Sequence, residues 1–246
     1  MPELHLLRVD LDTGALVRRG RAQGLPLREV DGGYLVHSWL LAIFGEERVR
    51  SFSLEGEVGQ RLRIFAYVDQ PLDALLPEVE RYADPSDWAA ADWSTAASKP
   101  MPTQFAAGER LGFALRVVPT RRKSEGEGEA QRSVELDAFL SAARRDPDGP
   151  KPDRAEVYTA WLAEQLGRDG AATLERATLD AFLLSPLLRR TQGAQRKGRM
   201  VTLPDARLSG VLQVGAPDAF AALLTRGVGR HRAFGYGMLQ LRRPTA

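Results

Sequence analysis

The order of the apolar segments in the first half of the chain is the feature that most restricts its fold. Leu4–Leu11 has the aliphatic content of a strand, and Tyr34–Phe44 (YLVHSWLLAIF) is apolar on nearly all sides, which predicts a mostly buried helix. The stretch between them is rich in glycine and arginine and predicts a loop. Two short strands, a helix begun by a proline and a last strand are predicted over Val49–Leu54, Leu62–Val68, Pro71–Ala83 and Glu109–Val118. This order is the βαββαβ plan of a ferredoxin-like or RNA-recognition-type domain.

The second half of the chain predicts another α+β unit. The stretch from Thr120 to Arg132 is charged and contains glycine, which indicates a linker or an extended loop. We therefore expect one domain over residues 1–120 and a second over residues 121–246. The fold class is predicted as α+β, with two tandem ferredoxin-like domains. Within the second domain, helices are predicted over Val134–Arg144, Arg154–Leu166 and Pro217–Arg226, and strands within Thr173–Leu188, Arg199–Val214 and Gly235–Leu241.

Cysteine and histidine content limits the chemistry that is open to this chain. The absence of cysteine excludes a disulfide-stapled secreted fold and any thiolate metal cluster, and only three histidines could ligate a metal. No metal site and no cofactor are therefore expected. No apolar run reaches the ~18–20 residues needed to cross a bilayer, and Met1–Asp10 lacks the pattern of a signal peptide. We expect a cytoplasmic protein without a membrane partner.

Charge is distributed unevenly, although the 34 basic residues nearly balance the 32 acidic ones. Acidic residues crowd the middle of the chain in Glu125-Gly-Glu127-Gly-Glu129, while arginines cluster in the last third. This asymmetry predicts a basic face for a polyanion.

One predicted hairpin concentrates this positive charge. A short turn over Gln192–Gly198 brings five cations together, which suits an arm that follows phosphates along an RNA helix. The alternative is that these cations lie on a solvated hairpin without a role in RNA binding. The cations are Arg189, Arg190, Arg196, Lys197 and Arg199.

Tyr34 and His37 are the candidate catalytic pair. They lie three residues apart on the predicted helix, so their side chains project from one face a single turn apart. A histidine with a pKa of about 6.5 can move protons in phosphodiester cleavage, and a phenol beside it can orient a phosphate or a nucleophile. Alternatively, His37 is a half-buried structural histidine on an otherwise apolar stripe.

A glycine-rich loop near the C-terminus is the second candidate site. Glycines allow a close backbone approach to an anion, and the basic side chains among them add charge. Tight packing of a turn explains the glycines equally well, and their spacing is unlike a Walker loop or a dinucleotide fingerprint, so no nucleotide cofactor is implied. The loop contains Gly227, Gly229, Arg230, His231, Arg232, Gly235 and Gly237.

Three segments together resemble the CasE family, the CRISPR repeat endoribonuclease of the type I-E Cascade complex. Tyr34-Leu-Val-His37 is similar to the family's Y-x-h-H helix, and Leu111–Pro119 is similar to its R-L-x-F-R-L-R-A-N-P strand. Gly210–Leu241 is similar to its E-G-x-L…G-h-G-x5-G-h-G-L-L ending, which is shared by relatives in other CRISPR subtypes.

The resemblance implies two ferredoxin-like domains and a metal-independent endoribonuclease. Such an enzyme binds the stem-loop of the CRISPR repeat RNA and cuts precursor crRNA at the 3′ base of the stem. The 2′-OH attacks its own phosphate and leaves a 2′,3′-cyclic phosphate. The enzyme then stays with the mature crRNA and the other Cascade subunits.

The resemblance also implies individual residue roles. His37 matches the catalytic histidine, as base or as acid, and Tyr34 matches its partner. Arg189 and Arg190 match the basic pair that holds the stem. The chain departs from the family pattern at three places: Val118 replaces an asparagine, Arg232 replaces a lysine, and residues 120–153 are longer and more acidic.

Two alternative functions remain open from the sequence. One is a non-catalytic RNA-binding subunit of a CRISPR ribonucleoprotein, and the other is a small-molecule enzyme whose glycine-rich loop binds a phosphate or a nucleotide.

Overall fold

The structure is a computed structural model that describes residues 3–25, 32–58, 61–102, 104–125, 132–190 and 198–244. Its strands are β1 His5–Asp12, β2 Val49–Val58, β3 Arg61–Val68, β4 Ala97–Pro100, β5 Arg110–Val117, β6 Thr120–Glu125, β7 Arg132–Asp137, β8 Ala172–Arg190, β9 Gly198–Val214 and β10 Gln240–Arg242. Its helices are α1 Thr13–Ala22, α2 Gly32–Phe44, α3 Leu72–Tyr82, α4 Pro85–Trp88, α5 Ala138–Ala143, α6 Arg154–Leu166 and α7 Pro217–Arg226.

The first sheet has the strand order β2-β3-β1-β4, with all neighbours antiparallel. Together with α2 and α3, this is the ferredoxin-like βαββαβ arrangement. The alternate residues Leu7 and Val9 of β1 point into one core, where they join Trp39 of α2 and Leu75 of α3. This core fixes α2 against the sheet.

The second sheet repeats the arrangement, with the order β10-β5-β9-β8. Here α6 and α7 take the helix positions, and Trp161 and Phe220 from these helices are buried in a core with Phe113 of β5. The predicted fold class of two tandem ferredoxin-like domains is confirmed.

The strand predicted over Glu109–Val118 is present as β5, but the expectation that it completes the first sheet is wrong. It pairs with β9 and β10, while β4 pairs with β1. The short β4 has no alternating apolar pattern, so nothing in its sequence marks it as a strand. The change of sheet thus occurs between Pro100 and Arg110, and the division of the chain at residue 120 stays a prediction.

Three other expectations are corrected. The segment after β1 contains α1, begun by Asp12, whose carboxylate accepts a hydrogen bond from the Ala15 backbone N–H. The expected loop from Thr120 contains β6, which pairs with β7, so the helix predicted from Val134 begins only at Ala138. The last strand is paired only over Gln240–Arg242, since Gly235 lies in a turn and residues 236–239 form no strand.

No helix in the described part of the chain is long and apolar enough to span a membrane.

Candidate active site

Helix α2 positions Tyr34 and His37 at the edge of the first core. The opposite face of the helix is buried, and Trp39 donates a hydrogen bond from its indole Nε1 to the Asp87 carbonyl at 2.9 Å. Because this side of the helix is fixed, Tyr34 and His37 must face away from the sheet, where both are half-buried.

Phe234, from the glycine-rich loop, lies against both side chains. Its ring centroid is 6.2 Å from that of Tyr34 and 6.1 Å from that of His37, and the Tyr34 contact is stacked. His231 approaches the same ring at 6.4 Å. The structure therefore brings the helix pair and the glycine-rich loop, two separate candidates in the sequence, into one site.

Left-handed backbone at two positions shapes this part of the loop. A short 3-10 turn over Arg232–Phe234 lies between His231, with φ 60°, and Gly235, with φ 82°. A Cβ at Gly235 would approach Leu54 Cδ1 to 2.5 Å, so only glycine allows the loop to lie this close to β2. The close approach places Phe234 over α2.

Glu135 on β7 holds the basic side of the loop. Its Oε2 lies 2.9 Å from His231 Nε2, and its Oε1 lies 2.6 Å from Arg230 Nε. The side chains of Glu135 and His231 are 10% and 5% exposed. The acidic partner fixes two basic side chains at the rim of the site.

A cleft of about 970 Å³ opens between α2, β2 and the loop. His37, His231 and Phe234 line it, and Glu46 is the acidic residue among its described lining residues. The cleft thus carries strong positive charge, which suits a phosphate-bearing ligand. Its arginines are Arg50, Arg226, Arg230 and Arg232.

Burial lowers the pKa of two side chains that line this cleft. It lowers the pKa of His37 from its ordinary value of 6.5, and the nearby carboxylate of Glu46 opposes that change. Burial and the positive charge of Arg226 also lower the pKa of Arg232. His37 is therefore mostly neutral at pH 7, and an anion between the two arginines would relieve their repulsion.

The other loop glycines have identifiable packing roles. A Cβ at Gly227 would lie 2.8 Å from the Gly237 carbonyl oxygen, which itself accepts a hydrogen bond from Val228 N–H at 2.7 Å. A Cβ at Gly229 would lie 3.0 Å from the Trp161 ring. These contacts explain the glycines by close packing, and direct anion binding by the loop backbone stays a prediction.

The predicted basic hairpin is formed by β8 and β9. Arg189 pairs with Arg199 and Arg190 with Gly198 at the end of the ribbon, whereas β5 pairs with β9 over Ala206–Gln213. The ribbon therefore extends beyond the strand that anchors it in the sheet. Two of the predicted cations, Arg196 and Lys197, lie outside the described residues.

Sequence reasoning missed four contributors to the site: Arg50, Glu135, Arg226 and Phe234. Arg50 and Glu135 come from distant strands and reach the site through tertiary packing alone, whereas Arg226 precedes the glycine-rich loop and Phe234 lies within it. Arg226 offered one signal, since it ends a predicted helix directly before the glycine-rich loop.

Within the described residues, no group of three or more histidine, aspartate or glutamate side chains is arranged to hold a metal ion.

The chain matches a model of the family described as CRISPR associated protein, over residues 4–243. The chain belongs to this family. The resemblance to CasE is thereby confirmed at the level of the family and, as the following comparisons show, of the fold. No curated protein matches the chain.

Solved structures of CRISPR proteins share the fold of this CRISPR-associated protein over nearly its whole length. A CRISPR endoribonuclease Cse3 bound to a 19 nt RNA is 21% identical with a TM-score of 0.62, and the match covers 98% of this chain and 100% of that one. Cas6e from Escherichia coli K-12 is 20% identical with a TM-score of 0.58 and the same coverage. A chain of a CRISPR RNA-guided surveillance complex is 16% identical with a TM-score of 0.59, covering 97% of this chain and 99% of that one.

Proposed function

We propose that this CRISPR-associated protein is a metal-independent endoribonuclease that processes precursor crRNA. It binds the stem-loop of the CRISPR repeat, cuts at the 3′ base of the stem and remains with the mature crRNA as a Cascade subunit in the cytoplasm. The observation that carries this proposal is the placement of His37 in a cleft with four arginines, beside Phe234, on whose ring Tyr34 stacks. The similarity to RNA-bound Cse3 and to a surveillance-complex chain supports it.

The chemistry follows from the side chains of the cleft. The ribose 2′-OH attacks the adjacent phosphorus, the bond to the 5′-oxygen breaks, and a 2′,3′-cyclic phosphate and a 5′-hydroxyl result. His37 moves one of the two protons, either from the 2′-OH or to the leaving oxygen. Tyr34 aligns the attack, and the arginines stabilise the charge on the phosphorane. Phe234 restricts the orientations of both side chains.

The remaining parts of the proposal concern binding. The β8–β9 ribbon carries Arg189 and Arg190 near its end and binds the RNA stem. It contacts the sugar-phosphate backbone of the RNA, because A-form helices are recognised mostly through their shape and phosphates. Product retention then makes one cut per enzyme sufficient.

The proposal is tested first by the product and the metal requirement. We expect the purified protein to cut the repeat RNA of its own locus once, to leave a 2′,3′-cyclic phosphate, and to do so at an unchanged rate in excess EDTA. End-labelled RNA and product analysis by mass spectrometry measure both. An otherwise identical RNA with a 2′-deoxyribose at the cut site is the control.

Three results would contradict the proposal in different ways. Cutting of the deoxy substrate would exclude 2′-OH attack, and loss of activity in EDTA would indicate a metal-dependent reaction. Tight binding without any cut would indicate a non-catalytic RNA-binding subunit.

The pH dependence of cleavage reports on His37. Because burial lowers its pKa below 6.5, we expect a limb in the profile of kcat/KM with a midpoint below pH 6.5. If neutral His37 is the base, the rate falls as the pH drops through that midpoint; if protonated His37 is the acid, it falls as the pH rises. Single-turnover rates at sub-saturating enzyme measure this. A flat profile below pH 6.5 would show that His37 does not move a proton.

A further inference from the structure

A second basic cleft lies beside the proposed active site. It has a volume of about 650 Å³ and is enclosed by β6, β7, α5 and α6. The first three of these elements belong to residues 120–153, the stretch that is longer than the CasE pattern. We call it the insertion cleft. Six arginines line it: Arg121, Arg122, Arg144, Arg145, Arg168 and Arg230.

Ion pairs within the described part of the chain neutralise two of the six arginines of the insertion cleft. Arg121 pairs with Glu164 at 2.6 Å, and Arg230 pairs with Glu135. No ion pair in the described part of the chain involves the other four arginines, all of which are exposed. Like charges that are held close together destabilise the fold unless an anion binds between them. The insertion cleft is therefore built to receive a polyanion.

The insertion cleft adjoins the cleft lined by His37, which we call the active-site cleft. Gly229 and Arg230 line both clefts, and Gly229 packs against the buried Trp161 ring. An RNA strand that crosses this turn of the glycine-rich loop would pass from His37 to the arginines of the insertion cleft without leaving the protein surface.

The shape of the cleft favours a single strand over a duplex. An RNA helix displays its phosphates on a convex surface, whereas proteins that bind single strands use a positively charged groove along the backbone. Trp161 is only 2% exposed and offers no face for base stacking. The arginines can contact phosphates, so binding should depend on backbone charge and tolerate any base sequence.

We propose that the insertion cleft binds single-stranded RNA that continues from the scissile phosphate, beyond the repeat stem. This inference rests on the proposed function, because it takes the path of the RNA from the active-site cleft. The insertion cleft would thus bind a segment of the RNA that lies outside the stem-loop.

The test compares two double variants with equal changes in charge. Arg144→Ala/Arg145→Ala removes two cations of the insertion cleft, and Arg242→Ala/Arg243→Ala removes two exposed cations at the C-terminal end of the edge strand β10. The RNAs are the stem-loop alone and the stem-loop extended at the 5′ or at the 3′ side, each with a 2′-deoxyribose at the cut site. Dissociation constants are measured across a series of salt concentrations.

We expect one of the two extensions to tighten binding to the wild type, independently of its base sequence. Arg144→Ala/Arg145→Ala should abolish that gain and make the slope of log K against log salt shallower by about 1.4, for two phosphate contacts on a single strand at about 0.7 each. The control variant should keep the gain, and both variants should bind the stem-loop alone as tightly as each other. Arg168→Ala, on a different element, should reduce the gain independently.

Other results would overturn the inference. If neither extension tightens binding, or if both double variants lose affinity equally for every RNA, the insertion cleft is not an RNA-binding segment. Cleavage of the unmodified stem-loop by the wild type is measured in parallel. If that cleavage is present and the extension has no effect, only the inference about the insertion cleft fails. If the protein neither binds nor cuts RNA, the proposed endoribonuclease function fails as well.

Discussion

Replacement of His37 by alanine is expected to slow RNA cleavage by about 10²–10⁴-fold, the usual contribution of a positioned general acid or base. The imidazole is half-buried, mostly neutral at pH 7 and in contact with Phe234 at the wall of the basic cleft. Its removal takes away the proton-transfer group but no positive charge, so the affinity for RNA should be nearly unchanged. Single-turnover cleavage and a binding measurement on the same RNA separate the two effects.

His231 is the matched control for this experiment. It lines the same cleft and contacts the same phenylalanine, but Glu135 already engages its Nε2. We expect His231→Gln to slow cleavage far less than His37→Ala. If His37→Ala cuts at the wild-type rate, then His37 is a structural histidine and the chemistry lies elsewhere in the cleft. If the two variants are equally slow, the defect is in the shape of the cleft and not in proton transfer by His37.

Local signals predicted part of the fold well. The bounds of α6 and α7 match the predicted helices, because an apolar face and a proline or an aspartate at the start mark each of them in the sequence. Helix α1 was missed because its arginines and glycines resemble a loop, while one of these arginines, Arg19, is buried and its guanidinium pairs with Asp87. Such a long-range ion pair leaves no pattern in the local sequence.

Sheet membership could not be predicted from local pattern. The alternation in β5 indicates a strand but does not indicate which sheet the strand joins. The open edge of an antiparallel sheet can pair with any strand of suitable length, and β5 joins the second sheet because it pairs with β9 and β10. The same limit applies to the site. Tyr34 and His37 were found because one helix fixes their spacing, whereas Arg50 and Phe234 reach the site only after the two sheets pack together.

A largely buried ion pair joins β5 to β9 within the second sheet. Arg116 Nε lies 3.0 Å from Asp205 Oδ1, and the two side chains are 17% and 5% exposed. Ser185 and Tyr236 also donate hydrogen bonds to Asp205 Oδ2, at 2.9 Å and 3.3 Å. The Arg116 guanidinium lies 4.4 Å from the centre of the Tyr236 ring. One carboxylate thus connects two strands and the segment that follows Phe234.

Replacement of Asp205 by alanine is expected to lower the free energy of unfolding by about 3–5 kcal/mol, because it leaves a buried guanidinium without its counter-charge. Glu175→Ala is the matched control: it breaks a similar two-pronged pair with Arg110, also between strands of the second sheet, but Arg110 is 53% exposed. Water can solvate Arg110 after the change, so the control should lose far less. Urea denaturation of both variants measures the difference. Equal losses would show that burial does not increase the contribution of the Arg116–Asp205 pair to the free energy of unfolding. A large loss confined to Asp205→Ala would instead show that the buried guanidinium of Arg116 requires this counter-charge.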